Sequence, residues 1–217
     1  TSAYVCHQLL LNPQLNILVV SASKNRADDF STFTLRLINE IDVLAHLRPR
    51  EDQRQSKVSF DVKPARASHA PSVKSLGITG QLTGSRSDLV IADDVESANN
   101  SATMGMRDKL SEQVKEFESI LKPQGRIIFL GTMQTEMSLY NVLPTRGYKQ
   151  RIWTARYPTE KQLNNFGNTI APFIRNSWST EMIGKPTDAE RFDEEDLFKR
   201  QLSYGSSGFN LQFMLDT

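Results

Sequence analysis

A chain of 217 residues, 38% of them hydrophobic and 24% charged, has enough apolar material for a buried core and too much for disorder. No run nears the ~18–20 apolar residues that span a membrane, one cysteine cannot form an internal disulfide, and three histidines scattered in sequence make no dense zinc site. Twenty-six basic residues against 25 acidic leave a formal charge of +1, so the global basic footprint common among nucleic-acid binders is absent and only local patches remain.

The opening residues, 1–11, carry neither the basic flank nor the small-residue cleavage site of a signal peptide. They read as a short apolar helix stopped at Asn12-Pro13, because proline removes a backbone donor and biases its predecessor away from helix. The chain lacks an initiating Met and opens in mid-helix, which points to further protein upstream. Residues 16–23 form a continuous apolar, β-branched run, the pattern of a strand buried on both faces. Phe30, Phe33, Leu37, Ile41 and Leu44 then recur at spacings of three and four, which predicts one amphipathic helix over 26–47. Strand followed by helix argues for an α/β fold.

A polar stretch follows, with one strand expected at 58–62. The glycines of Ser75-Leu-Gly-Ile-Thr-Gly-Gln-Leu-Thr-Gly-Ser-Arg86 predict a hairpin or tight loop. Residues 89–94 are a second continuous strand, 97–106 a loop, and 107–121 a helix stopped by Lys122-Pro-Gln-Gly125. Residues 126–132 are a third buried strand. Beyond about 140 the pattern becomes mixed: strand-like over 148–157, then a short helix after Asp193, a suitable N-cap followed by acids that suit a positive helix terminus. Residues 1–140 therefore read as the core and 141–217 as a smaller lid.

The strongest chemical signal is Leu89-Val-Ile-Ala-Asp-Asp-Val-Glu96. The apolar run places Asp93 at the carboxyl end of a buried strand, where open α/β sheets bind ligands. A rigid, partly desolvated carboxylate calls for a cation, and Mg²⁺ with its waters supplies one. Asp94 points elsewhere, because side chains alternate along a strand, and can accept a hydrogen bond from an attacking water. This is the Walker B layout; the competing reading is a surface turn with solvated acids. A second buried strand ends in Gly131-Thr-Met-Gln134, and Thr132 and Gln134 can donate to a phosphate without adding charge. No G-x-x-x-x-G-K-S/T pattern occurs in the chain, so a phosphate loop would have to precede residue 1.

Taken in order, Ile17-Leu-Val-Val-Ser-Ala-Ser-Lys-Asn-Arg26, Gly77-Ile-Thr-Gly-Gln-Leu-Thr-Gly-Ser-Arg86, Asp88-Leu-Val-Ile-Ala-Asp-Asp-Val-Glu96, Gly131-Thr-Met-Gln134, Arg191-Phe-Asp-Glu-Glu-Asp-Leu197 and Phe209-Asn-Leu-Gln-Phe-Met-Leu-Asp216 resemble the ATPase domain of the large terminase subunit of tailed bacteriophages, nearest to the podovirus type. Each segment is weak singly; the ordered set spans nearly the whole chain. The resemblance implies a P-loop NTPase-like (ASCE) α/β fold, a mostly parallel sheet flanked by helices, with a small C-terminal lid. It implies that Asp93 holds Mg²⁺, that Asp94 is the catalytic carboxylate with Glu96 as the alternative, and that Thr132 and Gln134 couple hydrolysis of ATP to movement. Many family members carry Glu where Asp94 stands. An arginine finger is expected, Arg26 first and Arg86 second, each competing with an ordinary surface arginine.

The same resemblance implies a ring of subunits, double-stranded DNA as cargo, the procapsid's portal and the small terminase subunit as partners, and work in the host cytoplasm without a membrane. A nuclease domain would lie beyond these residues. The rivals are a helicase-like ATPase, a metal-dependent nuclease using Asp93 and Asp94, and a non-enzymatic DNA-binding or scaffold module. Arg48, Arg50, Arg54, Lys57, Lys63 and Arg66 form one basic region that could hold DNA phosphates, although charge-rich loops are usually just solvated.

Overall fold

Five strands carry the first unit of the computed structural model, Thr1–Gly131. Residues 1–82 and 84–216 are described; Thr83, in the glycine-bearing segment, and Thr217 lie outside the described residues. Helix α1 (Ser2–Leu11) leads to β1 (Ile17–Ser21), α2 (Lys24–Glu40), a 3₁₀ turn (Asp42–Leu47), β2 (Ser59–Phe60), β3 (Val73–Gly77) and β4 (Ser87–Asp93). Three helices follow, α3 (Ala98–Ser101), α4 (Met104–Gln113) and α5 (Glu116–Ile120), before β5 (Leu121–Leu130). The sheet order is β2-β3-β1-β4-β5, parallel throughout except for β2.

Both faces are covered. Ile17, Val19, Leu89 and Ile91 pack with Val5 and Leu9 of α1 and Phe30 and Ile38 of α2. Ile128 joins that cluster, whereas its neighbour Phe129 lies against Phe117 of α5, ring centroids 5.8 Å apart. Side chains alternate along a strand, so α5 covers the opposite face. This explains why all five residues of β1 are buried and why its sequence shows no alternation.

Several expectations change. Residues 26–47 are not one helix: Ile41 is extended, and Leu44 and Leu47 reach the core from the 3₁₀ turn instead. Of the hairpin or tight loop expected over 75–86, the described residues show the tight loop, a turn closed by the Gly80 N–H on the Gly77 carbonyl at 2.8 Å, and no hairpin. The first residues of the segment belong to β3, which runs parallel to β1 with Val19 opposite Ser75. The loop expected over 97–106 holds α3, with a Ser97–Asn100 capping box, and the start of α4, whose first turn Thr103 caps. The helix expected over 107–121 breaks into α4 and α5. The helical stretch does end at Ile120, ahead of Lys122-Pro-Gln-Gly125, but those residues already belong to β5, entered through a register shift between Ser87 and Leu89. Proline lacks a donor and is confined to border strands, which is where β5 lies.

Gly77 closes β3 where the backbone of α2 begins. A Cβ there would stand 2.8 Å from the Lys24 nitrogen and 3.0 Å from the Ser23 carbonyl carbon. Gly77→Ala is therefore expected to cost about 1–3 kcal/mol, the usual range for overpacking, as a lower midpoint in chemical denaturation at unchanged slope. Cys6, on the inner face of α1, is buried, with its thiol 3.9 Å from the Thr34 carbonyl oxygen. Burial pushes the thiol up to about 11. Its neutral form is favoured in the fold, so the associated stability is complete below the ordinary thiol range and falls as pH rises through and above it. Alkylation of the native chain at pH 8 is expected to be about a hundredfold slower than that of the unfolded chain, read by mass spectrometry.

In the second unit, Thr132–Thr217, the described residues include two small apolar clusters. Helices α6 (Leu139–Val142), α7 (Glu160–Phe166), α8 (Pro172–Ser177) and α9 (Glu194–Phe209) build it. Tyr157, Phe166, Ile170 and Ile174 form one cluster; Leu197, Phe209 and Met214 form the other. The strand expected over 148–157 is reduced to isolated bridges, Ile152 with Ile170 and Arg156 with Pro186. Asp193 caps α9 as expected, accepting from the Asp196 N–H at 2.8 Å. Among the described residues no helix is long and apolar enough to cross a membrane.

Candidate active site

Asp93 ends β4 between Ser21 of β1 and Leu130 of β5. Its Oδ1 accepts from the Thr1 hydroxyl at 2.9 Å. The next residue leaves the strand abruptly: Asp94 has φ +49° and donates its N–H to the Leu130 carbonyl at 2.9 Å. Left-handed backbone costs about 1–2 kcal/mol for most residues, and aspartate is among the few that visit it routinely. The turn sends the two adjacent carboxylates in different directions.

Across from them stands the first turn of α2. Ser23 caps it, accepting from the Arg26 N–H at 3.4 Å, and Arg26 Nη1 lies 3.5 Å from Asp94 Oδ2. Both side chains are at least half exposed, so this contact is weak and Arg26 is easily re-aimed. Thr1, Ser21, Arg26, Asp29, Phe33 and the two acids line an open cleft of about 530 Å³. Partial burial raises the Asp94 carboxyl above its ordinary value, with the Asp93 charge adding to the effect and Arg26 opposing it. A carboxylate held this way is a better proton acceptor than a solvated one.

The other residues singled out from sequence lie elsewhere. Glu96 is buried, at 2% exposure, and does not line the cleft. Arg86 precedes β4, at the end opposite Asp93, and donates to the Ser119 carbonyl at 3.1 Å. Seven residues of strand separate the two ends, about 20 Å at ~3.3 Å per residue. Thr132 and Gln134 open the second unit, where Gln134 Nε2 donates to the Thr132 carbonyl at 3.3 Å and the Met133 carbonyl accepts from Gln212 at 2.8 Å. In the basic region, Arg50 pairs with Asp52 at 3.0 Å and Arg54 with Asp61 at 3.9 Å, so part of that charge is internally offset. The Thr1 contact to Asp93 is legible in sequence only as a threonine at a helix start; nothing local links it to a strand end 92 residues away.

Among the described residues no three His, Cys, Asp or Glu side chains gather as a metal cage. Two carboxylates and a hydroxyl are instead the donor set with which Mg²⁺ keeps several waters and takes substrate phosphates.

A mostly parallel five-stranded sheet, helices on both faces and an acid pair at the carboxyl end of an inner strand define an α/β protein of the P-loop NTPase-like class. No family model matches the chain. Over its whole length it is 52% identical to the terminase large subunit of Enterobacteria phage T3, and it spans 38% of that relative. The resemblance drawn from the ordered segments thus holds from end to end, and the chain is a relative of the terminase large subunits.

Proposed function

We propose that the chain is the ATP-hydrolysing motor portion of a viral large terminase, which drives double-stranded DNA into a procapsid. The observation that carries this reading is the Asp93–Asp94 turn at the end of β4, with Arg26 facing it across an open cleft. The identity to the T3 terminase large subunit supports the same reading.

Asp94 accepts a hydrogen bond from the attacking water and holds it in line with the γ-phosphate; its raised basicity suits that task. Asp93, with the Thr1 hydroxyl beside it, would hold Mg²⁺, whose contribution is to neutralise charge on the phosphates. Arg26 offsets the charge that develops as the bond to the leaving group breaks. Thr132 and Gln134 follow β5 in the chain and couple the hydrolysed state to the second unit. The phosphate cradle comes from outside these residues, because the chain contains no G-x-x-x-x-G-K-S/T pattern. By the same reading the full-length protein forms a ring, docks on the portal in the host cytoplasm, works with the small terminase subunit, and carries a nuclease elsewhere in its length.

The test is ATP hydrolysis by the full-length protein with and without Mg²⁺ and duplex DNA. Hydrolysis that needs Mg²⁺ and rises with DNA is expected, with no turnover by the 217-residue chain alone. DNA cutting that needs metal, ignores ATP and is lost on changing Asp93 or Asp94 would favour a nuclease instead.

A further inference from the structure

At the opposite end of the sheet from the acid pair, the amino ends of β1, β3 and β4 surround a second pocket of about 240 Å³. Three cations line it, Lys74 of β3, Arg86 before β4 and Lys122 of β5. Their partners are unequal. Lys122 is held by Asp88 at 2.9 Å and by Asn16 Oδ1 at 2.6 Å. Among the described residues Arg86 donates to the Ser119 carbonyl at 3.1 Å and Lys74 to the Ser85 hydroxyl at 3.0 Å. Among the described residues neither has a carboxylate partner, although Lys74 sits half-buried within the sheet. Among the described residues one acid stands against three cations, which leaves two of the three charges without a carboxylate.

The pocket does not end blindly. Ser68 lines both it and a neighbouring cleft that carries Arg50, Arg54 and Arg66, of which Asp52 and Asp61 offset the first two. The backbone between the two is fixed by Arg54, which donates to the Ser68 and His69 carbonyls at 3.2 and 3.3 Å. A single free anion would use one cleft; two adjoining clefts that each keep a net positive charge suit a polymer that presents phosphates in series.

We propose that this pocket is a phosphate-binding site, formed by Lys74, Arg86 and Lys122, that grips the backbone of duplex DNA about 20 Å from the nucleotide cleft along the strand direction. The phosphate chemistry stands by itself; its assignment to DNA rests on the motor reading. Contacts of this kind neutralise phosphates without reading bases, so affinity is sequence-independent and salt-dependent.

The experiment uses the full-length protein without ATP. Anisotropy of a labelled duplex is followed across salt concentration, and inorganic phosphate is titrated calorimetrically in parallel. Lys74→Gln is expected to weaken duplex binding equally for unrelated sequences and to lower the salt slope by about 1, with Lys74→Arg restoring both. Where Lys74→Gln fails to fold by circular dichroism, Arg86→Gln at an exposed position takes its place with the same expectation. Loss of phosphate binding with an unchanged DNA salt slope would overturn the DNA assignment and leave a site for free phosphate. A folded variant with both ligands unaffected would overturn the proposal altogether. Failure of the wild-type protein to hydrolyse ATP would count against the motor reading alone, so the two failures are separable.

Discussion

Asp94→Asn in the full-length protein is expected to lower ATP turnover by about 10²–10⁴-fold, the range over which a positioned base acts, while nucleotide affinity stays within a few-fold. Asparagine preserves the shape and can occupy the same left-handed turn, so the backbone bond to Leu130 survives. Only the proton-accepting oxygen is lost. Removing a partly desolvated charge next to Asp93 also relieves repulsion, so the variant should melt no lower than the parent. Steady-state phosphate release and equilibrium nucleotide binding, measured side by side, decide the matter. Normal turnover in Asp94→Asn together with loss in a folded Glu96→Gln variant would transfer the role to Glu96.

Arg26→Ala carries the second large effect, a fall in turnover of about 10³ or more if the guanidinium stabilises transferring phosphate. The side chain is exposed and its ion pair with Asp94 is long, so global stability should change little. Because Arg26 faces the Asp94 of its own chain, inactive Arg26→Ala and Asp94→Asn chains mixed in one assembly are expected to remain inactive. A neighbour-supplied arginine would predict the reverse: each Arg26→Ala site could borrow the intact guanidinium of an adjacent Asp94→Asn chain. Recovery of turnover on mixing would therefore show that the residue acts across subunits.

The acid pair was legible because an apolar run ending in Asp93 and Asp94 can mean few things in a parallel sheet. β1 and β4 were legible for the same reason: strands buried on both faces leave a continuous apolar signature. β3 was not. Ser75 and Gly77 interrupt its pattern, and its partner, β1, lies more than 50 residues earlier, beyond the reach of any local rule. Glycine punctuation suggested a turn, which Gly77 and Gly80 do close, but it gave no hint that Gly77 also lets the α2 backbone pass. The break between α4 and α5 was hidden because Leu110, Val114 and Phe117 stay buried across it, so the spacing of apolar residues is blind to the interruption. Which of Arg26 and Arg86 lies beside the acid pair depends on strand direction. Both flank a strand, but only the residue after β1 shares the carboxyl end of the sheet with Asp93.

The two borders of this sheet are unequal. One is closed by β2, two residues long, antiparallel, and flanked by Lys57, Asp61 and Lys63. Short, charged borders of this kind resist joining to another sheet. The other border is β5, ten residues long, with Ile127, Ile128 and Phe129 in succession and no further strand beside it among the described residues. Lys122, Pro123, the left-handed Gln124 at φ +65° and Arg126 interrupt its capacity to template a partner, and all four sit ahead of Ile127. The consequence is one of pairing: of the two borders, the longer one along β5 is where this sheet could take a further strand.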